Sequence, residues 1–293
     1  MEGLVMHRTP PAKLPTMVLA LAGWPDAAES ATTVVKYLVR KLKATKFADI
    51  DPDEFYEFSL NRPQTKINAR GEREIVWQAN NFYFYSPEDE SQGLLLYSGT
   101  EPNLKWRSYC KLVLDMAESC GVQRVISLGA LLDAVPHTRE VRITGRANEP
   151  SLARKLEDMG VRESGYQGPC GITTALMDAA GTRGMAMGSL CAHNPHYVTS
   201  APNPKASYAL LTRLLETVTI DVDPADMRAS ASTYEVDVNK AISAKADVHD
   251  YVRRLERSFD VLYPREADLP NASVVVEEIE EFLKKRNPPN PGG

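Results

Sequence analysis

The chain has 293 residues, 43% of them hydrophobic and 25% charged, with a formal net charge of -5, the make-up of a folded globular protein and not of a disordered one. Its 34 Lys and Arg residues are dispersed, so no basic run is available for a row of phosphates or an anionic membrane surface, and neither nucleic acid nor membrane is expected as a partner. A single core stops growing at roughly 250 to 300 residues, which allows one large domain with an appendage.

The first sixteen residues carry His7, Arg8 and Lys13 among prolines and lack the apolar stretch of a signal peptide. No later run approaches the ~20 apolar residues of a membrane span. Cys110, Cys120, Cys170 and Cys191 have neither CxxC nor zinc-ligand spacing, so a reduced, cytoplasmic setting is expected.

Met17 to Ala22 is an apolar run that reads as a strand, followed by a turn at Gly23 to Asp26. Ala31, Val34, Val35, Leu38, Val39 and Leu42 then fall at helical spacing. Phe55 to Phe58, Ile75 to Gln78, Phe82 to Tyr85 and Leu94 to Tyr97 are β-type runs, and Asn80-Asn81 suggests a hairpin between the middle two. Tyr109 to Cys120 gives a helical face and Val125 to Leu128 a buried-type strand, a second strand-helix-strand crossover. Val141 to Thr144 reads as a strand, and Ser151 to Met159 as a short helix with Ser151 at its N-cap.

Gly168-Pro169-Cys170-Gly171 opens a further helix, which Gly181 is placed to end, and Met185 to Leu190 returns to the sheet. Asn203-Pro204 is an N-cap and first-turn pair before Ala206, Leu210, Leu211, Leu214 and Leu215. Beyond about Ile220 the strand signals stop. Asp223-Pro224 starts a short helix, Ile242 to Leu262 traces a long amphipathic one, and Val275 to Leu283 a last one, before a disordered tail. The expected division is an N-terminal arm (1–16), an α/β core (17–219), a helical C-terminal extension (220–286) and a tail (287–293).

Three segments each follow a strand-like run: Gly23-Trp24-Pro25-Asp26-Ala27, Gly99-Thr100-Glu101-Pro102, and Gly129-Ala130 through Val135-Pro136-His137-Thr138-Arg139. Open α/β sheets place their binding crevice at such strand ends. With Gly168-Pro169 and His196-Tyr197-Val198 through Asn203-Pro204-Lys205-Ala206, these motifs run in a fixed order. In that order the chain resembles the proteasome assembly chaperone 2 family, in its bacterial, actinobacterial-type branch, over about Met17 to Asp260.

The resemblance implies a three-layer α/β/α fold with a mixed, mainly parallel sheet, similar to purine nucleoside phosphorylases and hydrolase-like proteins, with a C-terminal helical extension. It also implies a homo-oligomer, often a trimer, and an unidentified protein partner. Relatives dock on the proteasome through a C-terminal hydrophobic-Tyr-any tail. This chain ends Asn290-Pro291-Gly292-Gly293, and Val261-Leu262-Tyr263 lies upstream of that ending, which argues against docking of that kind.

The candidate crevice residues are Gly23, Trp24, Asp26, Gly99, Glu101, Gly129, His137, Thr138, Arg139, Cys170 and Gly171, and each carries two readings. Asp26 is a general base or, with Glu29, a capping box; Trp24 is a stacking platform or an interface or core residue. Glu101 faces a ligand or starts the helix before Leu104. His137 and Arg139, with Thr138 in the turn, contact an anionic or sugar-like ligand or only hold their loop. Cys170 is a nucleophile served by His193 or His196, or a small buried hydrophobe. The Gly168 to Gly171 amides, with Thr173 and Thr174, offer an anion site.

His193 and His196 flank Asn194-Pro195 at a spacing usable for a metal only with a third ligand. No complete nucleophile, base and oxyanion set emerges, and no Walker loop or other cofactor motif is present. Neither a cofactor nor a metal is therefore expected. The sequence favours a non-enzymatic, proteasome-assembly-chaperone-like interaction protein over the alternative, a small-molecule-binding protein or nucleoside-phosphorylase-like or hydrolase-like enzyme.

Overall fold

The computed structural model describes residues 3–10 and 13–263. Ten strands and seven α-helices follow one another as β1 (Leu4–Met6), β2 (Thr16–Ala22), α1 (Ser30–Lys41), β3 (Thr45–Ile50), β4 (Gln64–Ile67), β5 (Arg73–Val76), β6 (Asn81–Tyr85), β7 (Leu94–Thr100), α2 (Trp106–Ser119), β8 (Arg124–Asp133), β9 (Ile143–Ala147), α3 (Pro150–Asp158), α4 (Ile172–Thr182), β10 (Ala186–Pro195), α5 (Pro204–Thr217), α6 (Ala225–Ser243) and α7 (Ala246–Leu262). Eight strands form one sheet in the order β1-β3-β6-β7-β2-β8-β10-β9. The central four, β7, β2, β8 and β10, are parallel, and antiparallel strands flank them on both sides.

The central strands read as unbroken apolar runs because both of their faces are covered. Along β2 the side chains alternate. Met17, Leu19 and Leu21 join one core with Tyr109, Val113 and Leu114 of α2 and Ile172 and Leu176 of α4. Val18 and Ala20 join the opposite core with Val34 and Leu38 of α1, Leu152 of α3 and Leu210 and Leu214 of α5. This two-residue alternation feeds both outer layers and makes the three-layer α/β/α arrangement. Leu38 is fully buried, which by itself is worth about 1.5–3 kcal/mol of transfer free energy.

Where strand ends meet helix starts, local chemistry fixes the boundaries. Asn203 caps α5, its side chain accepting from the Ala206 amide, with Pro204 in the first turn. α3 is capped by Glu149, which accepts from the Ser151 and Leu152 amides, so Ser151 is inside the helix and not its cap. Gly181 lies within α4, and Gly184, at φ +68°, makes the left-handed exit.

Other expectations are corrected. Phe55 to Phe58 is a succession of turns whose Phe55 and Tyr56 plug the core. The expected hairpin does not form: β5 pairs with β4 in a separate two-stranded ladder, and β6 pairs with β3 and β7. β8 continues through Gly129 to Asp133, drawn out by ten paired positions with β10. The helix after Pro224, expected to be short, has 19 residues. The long amphipathic pattern is divided at Ala244 and Lys245, which places Ile242 on α6 and Val252 on α7, packed together in a small cluster with Val238. The helix expected over Val275 to Leu283 and the tail lie outside the described residues.

Candidate functional site

The carboxyl ends of β2, β7, β8 and β10 share one end of the sheet, since these strands are parallel. Asp26 follows β2 there. Its Oδ1 accepts from the Ala31 amide at 2.6 Å and its Oδ2 from the Thr32 amide at 3.0 Å, and the Thr32 hydroxyl donates to Oδ2 as well. The intervening Ala28 and Glu29 are left-handed, with φ of 51° and 50°, which carries the chain round so that a residue five positions upstream reaches the α1 amides. Asp26 thus caps α1, but no capping box forms: Glu29 turns outward to Lys36. Burial pushes the Asp26 carboxyl above its usual range, against the pull of its Thr32 and Ala31 donors.

Glu101 also starts a helix, though not the one that follows it in sequence. Its Oε1 accepts from the Ile172 amide at 2.9 Å and so caps α4 from across the strand ends. Partial burial raises its carboxyl, opposed by the Ile172 and Trp24 amides. Gly171 allows this approach: a Cβ there would lie 3.2 Å from the Trp24 ring and 3.3 Å from Glu101 Oε1. Gly23 is left-handed at φ +108°, beside the Glu101 Cβ. Trp24 itself is 66% exposed, so it is a surface residue and not a core one.

Gly129 sits where the Pro25 carbonyl bonds the Ala130 amide at 2.8 Å, and Gly99 lies under a buried polar cluster. There Asn80 Oδ1 accepts from Tyr56 at 2.9 Å and Tyr109 at 2.8 Å, and Tyr97 and Tyr109 bond each other. Cys170 is exposed, which removes the buried-hydrophobe reading. Neither histidine serves it: His193 binds Asp133 and Thr144, and His196 binds the Asp133 carbonyl and Tyr251.

His137, Thr138 and Arg139 form a second group, and among the described residues no hydrogen bond or ion pair joins it to the first. The Tyr197 hydroxyl accepts from the His137 amide at 2.8 Å and donates to Nδ1 at 2.7 Å, while Nε2–H donates to Asn239 on α6 at 3.0 Å. Burial holds this imidazole below its usual pKa, against the pull of its Asn239 bond. Thr138 donates to Glu256 on α7, and Arg139 forks onto Asp260 at 2.8 and 2.7 Å. These three residues strap α6 and α7 to the end of β8.

Sequence reasoning missed the Tyr56-Asn80-Tyr97-Tyr109 cluster and the chain Asp133–His193–Thr144. In the latter, Nδ1 lies 2.7 Å from Asp133 and Nε2 lies 2.9 Å from Thr144. Burial lowers the His193 pKa. Partial burial pushes the Asp133 carboxyl up, but the His193 and Ala134 hydrogen bonds together with the neighbouring His193 and Arg142 outweigh it and hold the group below the usual range. The β-strand periodicity that puts residues 133, 144 and 193 on adjacent strands was the available signal, but it needs the sheet order to be used.

Among the described residues no cluster of three or more His, Cys, Asp or Glu side chains is arranged to hold a metal, and no helix is long and apolar enough to cross a membrane. Of the predicted crevice residues, Asp26 and Glu101 cap helices and His137, Thr138 and Arg139 brace a loop, while Trp24 and Cys170 are exposed. Around them, Trp24, Leu104, Leu131, Leu132 and Tyr166 are exposed apolar side chains near the same strand ends.

No curated protein matches the chain significantly. A solved PAC2 family protein from Streptomyces avermitilis is 36% identical, with a TM-score of 0.72 over 81% of this chain and 99% of that one. A Mycobacterium tuberculosis proteasome-assembly chaperone homologue is 32% identical, with a TM-score of 0.73 over 81% and 99%. A second M. tuberculosis protein, of unknown function, is 26% identical, with a TM-score of 0.80 over 89% and 92%. The family model described as the PAC2 family matches residues 20–242, which takes in all three strand-end segments, the capped helices and most of α6, and the chain belongs to that family.

Proposed function

We propose that this protein works through protein–protein contact, as a proteasome-assembly-chaperone-like homo-oligomer, and not by turning over a small molecule. One observation carries the reading: the polar groups at the strand ends are engaged by the protein's own amides and hydroxyls, while apolar side chains around them face outward. Asp26 and Glu101 cap helices, and His137 has both ring nitrogens bonded. Trp24 is 66% exposed and Leu132 49%, and burial of such apolar side chains by a protein partner would be favourable. The mycobacterial relative described as a proteasome-assembly chaperone homologue supports the same class of role.

In this reading a second copy of the chain covers the rim formed by Trp24, Leu131 and Leu132, in a trimer or another closed ring, and an additional protein partner binds the assembled form. The chain divides near residue 219 into an α/β core and a helical extension, and acts in the reducing cytoplasm, consistent with its four free cysteines. Native mass spectrometry of the full chain tests this. A mass that is a multiple of 32.4 kDa supports it, and a monomer carrying a retained metabolite overturns it in favour of the small-molecule reading.

A further inference from the structure

Between the edge strand β9 and helix α7 lies a cleft of about 350 Å³, open to solvent. One wall is guanidinium-rich: Arg139, Arg142, Arg162 and Arg213 line it, against the acids Glu140 and Asp260. The other wall is aromatic, from Phe259 and Tyr263, whose rings lie 5.0 Å apart. On a chain with a net charge of -5, such a concentration of arginines is a local reversal of sign.

The existing ion pairs answer part of this charge: Arg139 meets Glu256 at 3.5 Å as well as Asp260, and Arg142 and Arg213 each have a carboxylate within reach. Asp260 is forked by Arg139 at 2.8 and 2.7 Å, so this acid answers the arginine nearest to it. Arg142 reaches Asp133 only at 3.5 Å, on an oxygen that His193 already bonds at 2.7 Å. Its guanidinium lies 4.6 Å over the Tyr263 ring, and its Nη1 sits 3.5 Å from His193 Nδ1, so an aromatic face and long polar contacts hold it at the cleft wall. Arg213 pairs with Glu216 where both side chains are about 40% exposed, a pair of little energetic weight. Arg162 has no ion-pair partner among the described residues. Its carbonyl bonds the Gly145 amide at 3.1 Å, which anchors its backbone on the β9 edge while its side chain stays exposed.

We propose that this cleft is a binding site for an organic phosphate, a phosphate ester whose organic part is apolar or flat. Guanidinium forks match phosphate oxygens in pairs. The volume of about 350 Å³ corresponds to roughly a dozen waters at about 30 Å³ each, more than a bare inorganic ion fills, and Phe259 and Tyr263 supply the surface for the organic part. The site joins the sheet edge to α7, so a bound ligand would also tie the helical extension to the core.

The probe is phenyl phosphate, with inorganic phosphate and phenol as its two halves, titrated by calorimetry into the full chain. The site predicts that phenyl phosphate binds more tightly than either half. It further predicts that Arg162→Gln weakens binding by at least about fivefold, as expected for loss of one charge-assisted contact. Arg162→Gln removes an exposed side chain with no ion-pair partner among the described residues and leaves the fold intact, which the unchanged melting temperature of the variant verifies. Arg70→Gln, in the exposed turn between β4 and β5, leaves binding as in the wild type. Three results overturn the proposal: no binding by the wild type, a loss smaller than about fivefold in Arg162→Gln, or an equal loss in Arg70→Gln, which would mark diffuse attraction and not a site.

Discussion

Replacing Asp26 by Ala separates capping from chemistry. The carboxylate accepts from the Ala31 amide at 2.6 Å, from the Thr32 amide at 3.0 Å and from the Thr32 hydroxyl, and the residue is only 6% exposed. Truncation leaves two buried amides without an acceptor, each costing about 1–3 kcal/mol; the hydroxyl rotates and contributes less. Against this, a buried carboxyl whose pKa burial raises is itself a cost that the substitution relieves. The balance is a loss of about 2–3 kcal/mol, slightly above the usual range for a lost N-cap.

Asp26→Asn keeps one acceptor and turns the other oxygen into a donor facing a donor, for a loss of about 1–2 kcal/mol. Urea unfolding followed by circular dichroism measures both, and the melting temperature of the Ala variant falls by about 4–8 °C. An Ala variant within about 0.5 kcal/mol of wild type refutes the capping argument. Unchanged stability together with a lost ligand would identify Asp26 as a binding residue instead.

Glu101→Gln keeps the acceptor for the Ile172 amide and is expected to change stability by less than about 1 kcal/mol, whereas Glu101→Ala costs about 1–2 kcal/mol. Amide exchange at the start of α4 rises in the Ala variant only. Burial holds both His137 and His193 below their ordinary value of 6.5, so below that pH the unfolded chain takes up protons that the folded chain refuses. Their contribution is full above pH 6.5 and is lost as pH falls towards the folded values, with a slope of at most about 2.7 kcal/mol per pH unit for the two together. Urea unfolding at several pH values checks this: His137→Gln and His193→Gln together lower stability at neutral pH but flatten the slope, and an unchanged slope would contradict the assignment.

The parallel centre of the sheet was legible because β2, β7, β8 and β10 are buried on both faces and therefore appear as continuous apolar runs. The outer strands were harder. β3 (Thr45–Ile50) mixes Lys46 and Asp49 with Phe47 and Ile50 because one edge position faces solvent, and β4 has no buried residue at all. The hairpin expected at Asn80-Asn81 failed for a tertiary reason: Asn80 is drawn inward, where its Oδ1 lies among the Tyr56, Tyr97 and Tyr109 hydroxyls, a role that no local turn preference reveals.

At the site, the residue types were legible but their partners were not. Asp26 capping its own downstream helix is a short-range event and was among the sequence readings. Glu101 capping α4 joins residues 71 positions apart. The strap from His137, Thr138 and Arg139 reaches 102 to 121 positions ahead to α6 and α7. Contacts of that range depend on which helix lies over which strand end, and nothing in local spacing encodes it.

The strand-end rim is proposed to be an association surface and not a catalytic crevice. The measurement that tests it most directly is sedimentation equilibrium of the wild type beside a Trp24→Ser variant and a Leu131→Asp/Leu132→Asp variant, with circular dichroism to confirm that each is folded. An association surface predicts a wild-type mass that is a multiple of 32.4 kDa and folded variants that sediment as monomers. A monomeric wild type, or folded variants that keep the wild-type mass, would contradict it.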